Sequence, residues 1–251
     1  MENKQHVQLP RKDEIDKITP QEQLIYVSIR RHMNKDTYEA FPSLETIRKH
    51  CGASIPTIRK VIKNLESEGY LEVNKIGGKN VYKFDKLKSF EPFSYEFLDK
   101  EDLTFLEKSY ILSTQQFMFK HPENKTGTCT MSTRELANKI GLSQSSVVKC
   151  QHTLMDKNYL DIITTSAKEI ETGCNKREQV FHLDELGQAV VFTLMNHEEK
   201  INNINDRVTR LEYLLTEERK RNDDLEKINK IISKENRELK KKESQEPIIM
   251  D

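Results

Sequence analysis

The chain has 251 residues, of which 33% are charged and only 35% hydrophobic; this is too polar for one large core and suits small domains with a long exposed helix. No stretch reaches the roughly 18 apolar residues of a membrane-spanning helix, and the N-terminus MENKQHVQLPRKDEIDK has no apolar signal core. The 41 basic and 41 acidic residues cancel overall but not locally: residues 1–90 hold 17 Lys and Arg against 12 Asp and Glu, residues 91–195 hold 11 against 15, and residues 196–251 hold 13 against 14. A polyanion is drawn to a local basic surface, so the first third is the better place to look for one.

Residues 1–17 are expected to form a flexible N-terminal arm. Thr19-Pro20-Gln21-Glu22 is a capping box, with Pro20 at the first helical position where its missing donor costs nothing. The helix it opens buries Leu24, Ile25, Val27 and Ile29. After a loop holding Phe41-Pro42-Ser43, Ser43 caps a short second helix that stops at Gly52. Ser54 caps a third helix with apolar residues at Ile58, Val61, Ile62 and Leu65. Gly69-Tyr70-Leu71 ends that helix and begins a strand. A tight glycine turn within Lys75–Asn80 then leads into the alternating strand Val81-Tyr82-Lys83-Phe84. These elements make a domain over residues 18–90.

Residues 91–195 repeat the plan. At a constant offset of 89, Ile47 falls on Leu136, Cys51 on Ile140, Gly52 on Gly141, Ser54 on Ser143, Leu65 on Leu154 and Tyr70 on Tyr159. Upstream the offset is 85, and Thr104-Phe105-Leu106-Glu107 is a second capping box ahead of Tyr110, Ile111 and Leu112. Ser132 and Ser143 cap the second and third helices of this copy. Asn158-Tyr159-Leu160 leads into a longer hairpin, from Ile162-Ile163 across Thr172–Lys176 to Val180–Leu183.

From Ile201 the pattern changes to heptads without Gly or Pro until Pro247. Ile201, Val208, Leu215, Asn222, Asn229 and Asn236 occupy one seam position. Ile204, Leu211, Glu218, Leu225, Ile232 and Leu239 occupy the other. Asn at the first position favours a two-stranded parallel register, so residues 196–242 are expected to dimerise as a coiled coil about 60 Å long. Residues 243–251 are expected to be a disordered tail. The fold class expected is mainly α with small β-hairpins (α+β): tandem winged helix-turn-helix domains plus a C-terminal coiled-coil helix.

Residues 18–84 resemble the helix-turn-helix domains of phage and plasmid replication proteins and related prokaryotic regulators. The resemblance rests on Pro42, Ser43, Leu44, Glu45, Thr46, Ile47, Cys51, Gly52, Ser54, Thr57, Ile58, Leu65, Glu66, Gly69, Tyr70 and Leu71. The second copy keeps the frame without the Pro, and with Asn158 in place of the Gly. The resemblance implies DNA binding and leaves regulator and replication initiator open.

A recognition helix reaches base edges with the N-terminal half of one face. In the first copy this selects Thr57, Arg59 and Lys60, with Lys63 nearer the backbone. Arg48 and Lys49 on the preceding helix reach phosphates, and Lys75 and Lys79 flank the wing turn. The second copy offers Gln144, Ser145, Ser146, Lys149, Gln151 and His152, with Lys168, Lys176 and Arg177 in its hairpin. That copy either contacts DNA or is kept for packing or partner binding.

Cys51, Cys129, Cys150 and Cys174 form no CxxC pair, so neither a metal site nor a disulfide is expected. There is no phosphate-cradling loop, HExxH or nucleophile elbow. A non-enzyme without cofactors is expected, cytoplasmic in a prokaryotic cell or phage-infected host. Its expected partners are double-stranded DNA, a second copy of itself and a replication or transcription protein, with no membrane. Three functions fit: a dimeric, sequence-specific transcriptional regulator; a plasmid or phage initiator binding origin repeats; and a structural or partitioning protein that bridges DNA.

Overall fold

The first helix, α1 (Pro20–Arg30), starts where its caps dictate: the Thr19 hydroxyl accepts from the Glu22 amide, and Glu22 accepts from the Thr19 amide at 2.8 Å. Leu24 to Ile29 is buried without a break, so this helix has no solvent face and needs cover all round. The computed structural model, which describes residues 6–11, 17–165 and 176–243, shows where that cover comes from.

Helix α1 is followed by β2 (Glu39–Ala40), α2 (Leu44–Cys51), α3 (Ile55–Ser67), β3 (Glu72–Ile76) and β4 (Lys79–Lys83). The predicted caps hold: the Ser43 and Ser54 hydroxyls accept from the Thr46 and Thr57 amides, and Gly52 is the left-handed C-cap of α2. Ile76 pairs with Lys79 across Gly77 and Gly78. Both glycines have positive φ, 58° and 79°, the two-residue turn that matches the twist of a hairpin. β2 joins the other edge of β4, giving the order β2-β4-β3.

The second copy runs α5 (Phe105–Thr114), β6 (Phe119–His121), β7 (Thr126–Cys129), α6 (Thr133–Ile140), α7 (Gln144–Asp156), β8 (Leu160–Thr165) and β9 (Lys176–His182). Its capping box and its Ser132 and Ser143 caps form as predicted. Asn158 takes φ 58° where Gly69 takes 77°, which explains the exchange, because Asn tolerates the left-handed region better than other side chains. The hairpin β6–β7 enlarges the sheet to the order β6-β7-β9-β8 and was not predicted.

Two expectations are corrected. Residues 6–10 of the supposed flexible arm form β1 (His6–Pro10), antiparallel to β5 (Phe90–Ser94), with Val7 and Leu9 buried. Both strands contain proline, Pro10 and Pro92, which a two-stranded ribbon accepts because each strand keeps an unpaired edge. A short helix α4 (Tyr95–Leu98) follows β5.

Nor does a boundary at residue 90 separate two bodies. Residues 1–196 form one compact unit, and one buried cluster runs from Val7 through both copies to Leu186. Helix α5 is buried from Glu107 to Thr114 and packs on α1, where the Ser113 hydroxyl donates to Gln23 Oε1 at 3.1 Å. Each copy's first helix is apolar on too many sides for its own copy to cover, and the two cover each other.

Helix α8 (Ala189–Glu243) begins before the predicted heptads. Within the second unit, residues 197–251, every described side chain from Ile201 to Arg237 is exposed. These include Ile201, Ile204, Val208, Leu211, Leu215, Asn222, Leu225, Asn229, Ile232 and Asn236 of the predicted seam. The side chain of Leu239 and the tail 244–251 lie outside the described residues, as do residues 1–5, 12–16 and 166–175.

Candidate nucleic-acid interface

Helix α3 is held from behind by Ile58, Val61, Ile62 and Leu65, all buried. The 3.6-residue period then leaves Arg59, Lys60 and Lys63 facing water. None of the three has an ion-pair partner among the described residues, and the same is true of Lys49, Lys75 and Lys79. Arg48 meets Glu45 at 3.3 Å with both side chains largely exposed, a pairing worth little in water, so its charge remains available. Thr57 is half-buried and its hydroxyl lies 2.8 Å from that of Ser54, which ties it to the cap. Lys75 and Lys79 bracket the turn of the β3–β4 hairpin, and Ile76 stands 64% exposed at its tip.

The frame behind this surface uses residues that the sequence reading passed over. Arg31 and Asp99 form a two-pronged pair at 2.6 and 2.7 Å. His50, at the end of α2, places Nδ1 2.9 Å from Asp99 and 3.1 Å from Arg31. Burial, reinforced by Arg31, pushes the His50 imidazole below its ordinary range despite Asp99. Burial pushes the Asp99 carboxyl up, but Arg31 and His50 together outweigh it and hold it low. Lys108 is 2% exposed and donates to the backbone carbonyls of His50 at 2.9 Å and Leu98 at 2.7 Å. Its burial lowers its basicity. The end of α2 is thereby fixed to α4 and α5, so the helix-turn-helix of the first copy is braced by the second. The only signal for Lys108 in the sequence is its place in a helix otherwise too apolar to have a wet face.

In the second copy, Gln144, Ser145 and Lys149 are exposed and Ser146 is half-buried. Ser145 and Ser146 hydroxyls lie 3.0 and 2.8 Å from that of Ser143. One residue leaves the proposed surface, and Arg177, still exposed, is engaged by its neighbours. Gln151 is 1% exposed and donates to Gln179 Oε1 at 2.9 Å, an oxygen that also accepts from Tyr110. Arg177 donates to Thr133 Oγ1 at 3.0 Å and reaches Gln151 at 3.4 Å, so it braces the β8–β9 hairpin against α6 and α7. His152 is exposed. Lys168 and the side chain of Lys176 lie outside the described residues. The exposed face of α7 thus carries one cation where that of α3 carries three, and it adds the exposed apolar residues Val148 and Met155.

Cys51, Cys129 and Cys150 are buried free thiols, and burial pushes Cys150 up to about 12, a value that suppresses thiolate chemistry. Cys174 lies outside the described residues.

A protein-family model described as a helix-turn-helix domain matches residues 16–71, the span that contains α1, α2 and α3 and ends as β3 is about to begin. The chain therefore carries a helix-turn-helix DNA-binding domain, built on the α2–α3 pair described above. No curated protein matches the chain.

Proposed function

We propose that the chain is a dimeric, sequence-specific binder of double-stranded DNA that acts as a transcriptional regulator and not as an enzyme. The observation that carries this reading is the run of unpaired cations on one side of the first helix-turn-helix, Arg59, Lys60 and Lys63 on α3 with Lys75 and Lys79 on the hairpin. In this reading α3 enters the major groove, the β3–β4 hairpin is a wing that touches backbone or minor groove, and α2 supplies Arg48 and Lys49 to phosphates. The second copy is a second winged helix whose α7 contributes weaker contacts through Gln144, Ser145, Ser146 and Lys149.

Dimerisation is assigned to α8. Its apolar seam from Ile201 to Ile232 has no cover among the described residues of its own unit, and Asn222, Asn229 and Asn236 recur at heptad spacing, which favours two parallel strands. A plasmid or phage replication initiator is the second reading, supported by the shared core of the two copies. A single chain then holds two helix-turn-helix pairs in one unit, which suits repeated sites. Selection of bound duplexes followed by footprinting separates the two readings. One inverted repeat protected by a dimer supports the regulator, an array of direct repeats supports the initiator, and protection without sequence preference refutes both.

A further inference from the structure

Arg30, the last residue of α1, is 3% exposed, and no carboxylate pairs with it among the described residues. Its guanidinium donates to the Tyr26 hydroxyl at 3.0 Å and to Gln8 Oε1 at 3.1 Å, and it reaches the Asp85 carbonyl at 3.5 Å. It also sits 5.1 Å from the Phe84 ring centre. Its Nε has no hydrogen-bond partner among the described residues. The carboxyl end of α1 offers only about half an elementary charge in compensation. A buried cation is normally paired, so this one is held short of a full counter-charge.

Arg30 lines a cavity of about 270 Å³ between the end of α1, β1 and the segment after β4. Lys35, Lys86 and His6 line it too, and no acidic side chain does among the described residues. Neither lysine has an ion-pair partner among the described residues. Tyr38, Phe90 and Tyr95 supply aromatic surface. Tyr38 holds φ at 58°, a left-handed conformation that costs a bulky residue of order 1–2 kcal/mol. It is retained where its carbonyl accepts from the Phe84 amide, at the foot of the β2-β4-β3 sheet. Unpaired cations, aromatic walls and a strained residue meeting in one pocket are features of a ligand site.

We propose that this cavity binds a small phosphate-bearing molecule with a planar ring, of the size of a nucleoside monophosphate. The guanidinium and the two ammonium groups match a phosphate of charge near −2, and the aromatic residues take the ring. Binding would tie β1 and the end of α1 to the foot of the sheet that carries the hairpin. The site stands apart from the α3 surface and does not depend on the reading of that surface.

The test is thermal melting of the full-length chain titrated with AMP, adenosine and inorganic phosphate. AMP is expected to raise the melting temperature saturably, phosphate to do so at higher concentration, and adenosine to have little effect. The double variant Lys35→Ala/Lys86→Ala changes exposed side chains only and is expected to weaken AMP binding by at least about tenfold. Arg59→Ala/Lys60→Ala on α3 should leave AMP binding unchanged. Three results each overturn the assignment: no saturable shift with AMP at millimolar concentration, a shift that survives loss of both lysines, and a shift lost with the α3 variant. Phosphate binding as tightly as AMP would overturn the part assigned to the ring.

Discussion

Glu22 and Glu107 occupy the same capping position in the two copies, and their different surroundings make unequal costs of removal the sharpest expectation. Each closes a capping box with the threonine three residues before it. Glu22 also accepts from Asn64 Nδ2 at 2.7 Å. Glu107 accepts in addition from Lys157 Nζ at 2.8 Å, and its side chain is 5% exposed against 29% for Lys157. Replacing Glu22 with Ala removes neutral-donor bonds worth together about 1–2 kcal/mol. Glu107→Ala also removes a bond to a cation, worth about 1.5–3 kcal/mol when buried. The lower end applies, because Lys157 keeps some water and the Asp102 carbonyl at 2.6 Å. Glu107→Ala should therefore cost roughly 1–2 kcal/mol more than Glu22→Ala. In a unit of this size that corresponds to a melting temperature lower by about 2–8 °C.

The charge dependence has a sign. Burial pushes the Glu107 carboxyl up, but hydrogen bonds from Lys157, Thr153 and Thr104 outweigh it and hold it below its ordinary 4.5. Its contribution is therefore full above that value and lost as the pH falls through the lowered one. Thermal melts followed by circular dichroism at pH 7, and again between pH 5 and 3, measure both effects on the full chain. Equal costs at pH 7, or a gap between the variants that does not narrow on acidification, would refute the reasoning.

Arg59→Ala is expected to cost about 1–3 kcal/mol on the selected site, while Lys79→Ala weakens all duplexes alike and lowers the salt slope by about one; fluorescence anisotropy across a salt series checks both. Truncation after Asn196 should leave a folded monomer that binds a half-site, with avidity reduced by about 10²–10⁴; sedimentation that shows a dimeric truncation, or a monomeric full chain, removes α8 from dimerisation. His50 and His32 are both held below the ordinary histidine value, by burial first and by Arg31 second. Their neutral forms stabilise fully above about pH 6.5, so stability should decline as the pH falls from there through their lowered values. His50→Gln should flatten that decline in pH-resolved melts.

Local chemistry made much of this protein legible before any coordinates. The threonine and serine caps at 19, 43, 54, 104, 132 and 143, the helix ends at Gly52 and Gly141, and the Gly77-Gly78 turn each depend on residues within a few positions of one another. The offsets of 85 for the first cap and 89 for the second and third helices then carried the helix caps and ends into the second copy, down to Asn158 standing in for Gly69. The exposed cations of α3 follow from the same period, because burying Ile58, Val61, Ile62 and Leu65 leaves only one face for Arg59, Lys60 and Lys63. Tertiary structure decided what depends on distant neighbours. No pattern within either copy says that α1 and α5 cover each other, since apolar residues spread round a helix announce a need for cover and not its source. The β1–β5 ribbon joins residues eighty or more positions apart and was masked by two prolines that disfavour strands anywhere but at an edge. Gln151 reads as a surface group in sequence and turns inward because Gln179 waits for it, while Arg177 stays exposed but is tied to Thr133. Arg30 ends a helix where any sequence would place a solvated cation, and only the packing of β1 and Phe84 over it leaves that charge buried without an acid to match.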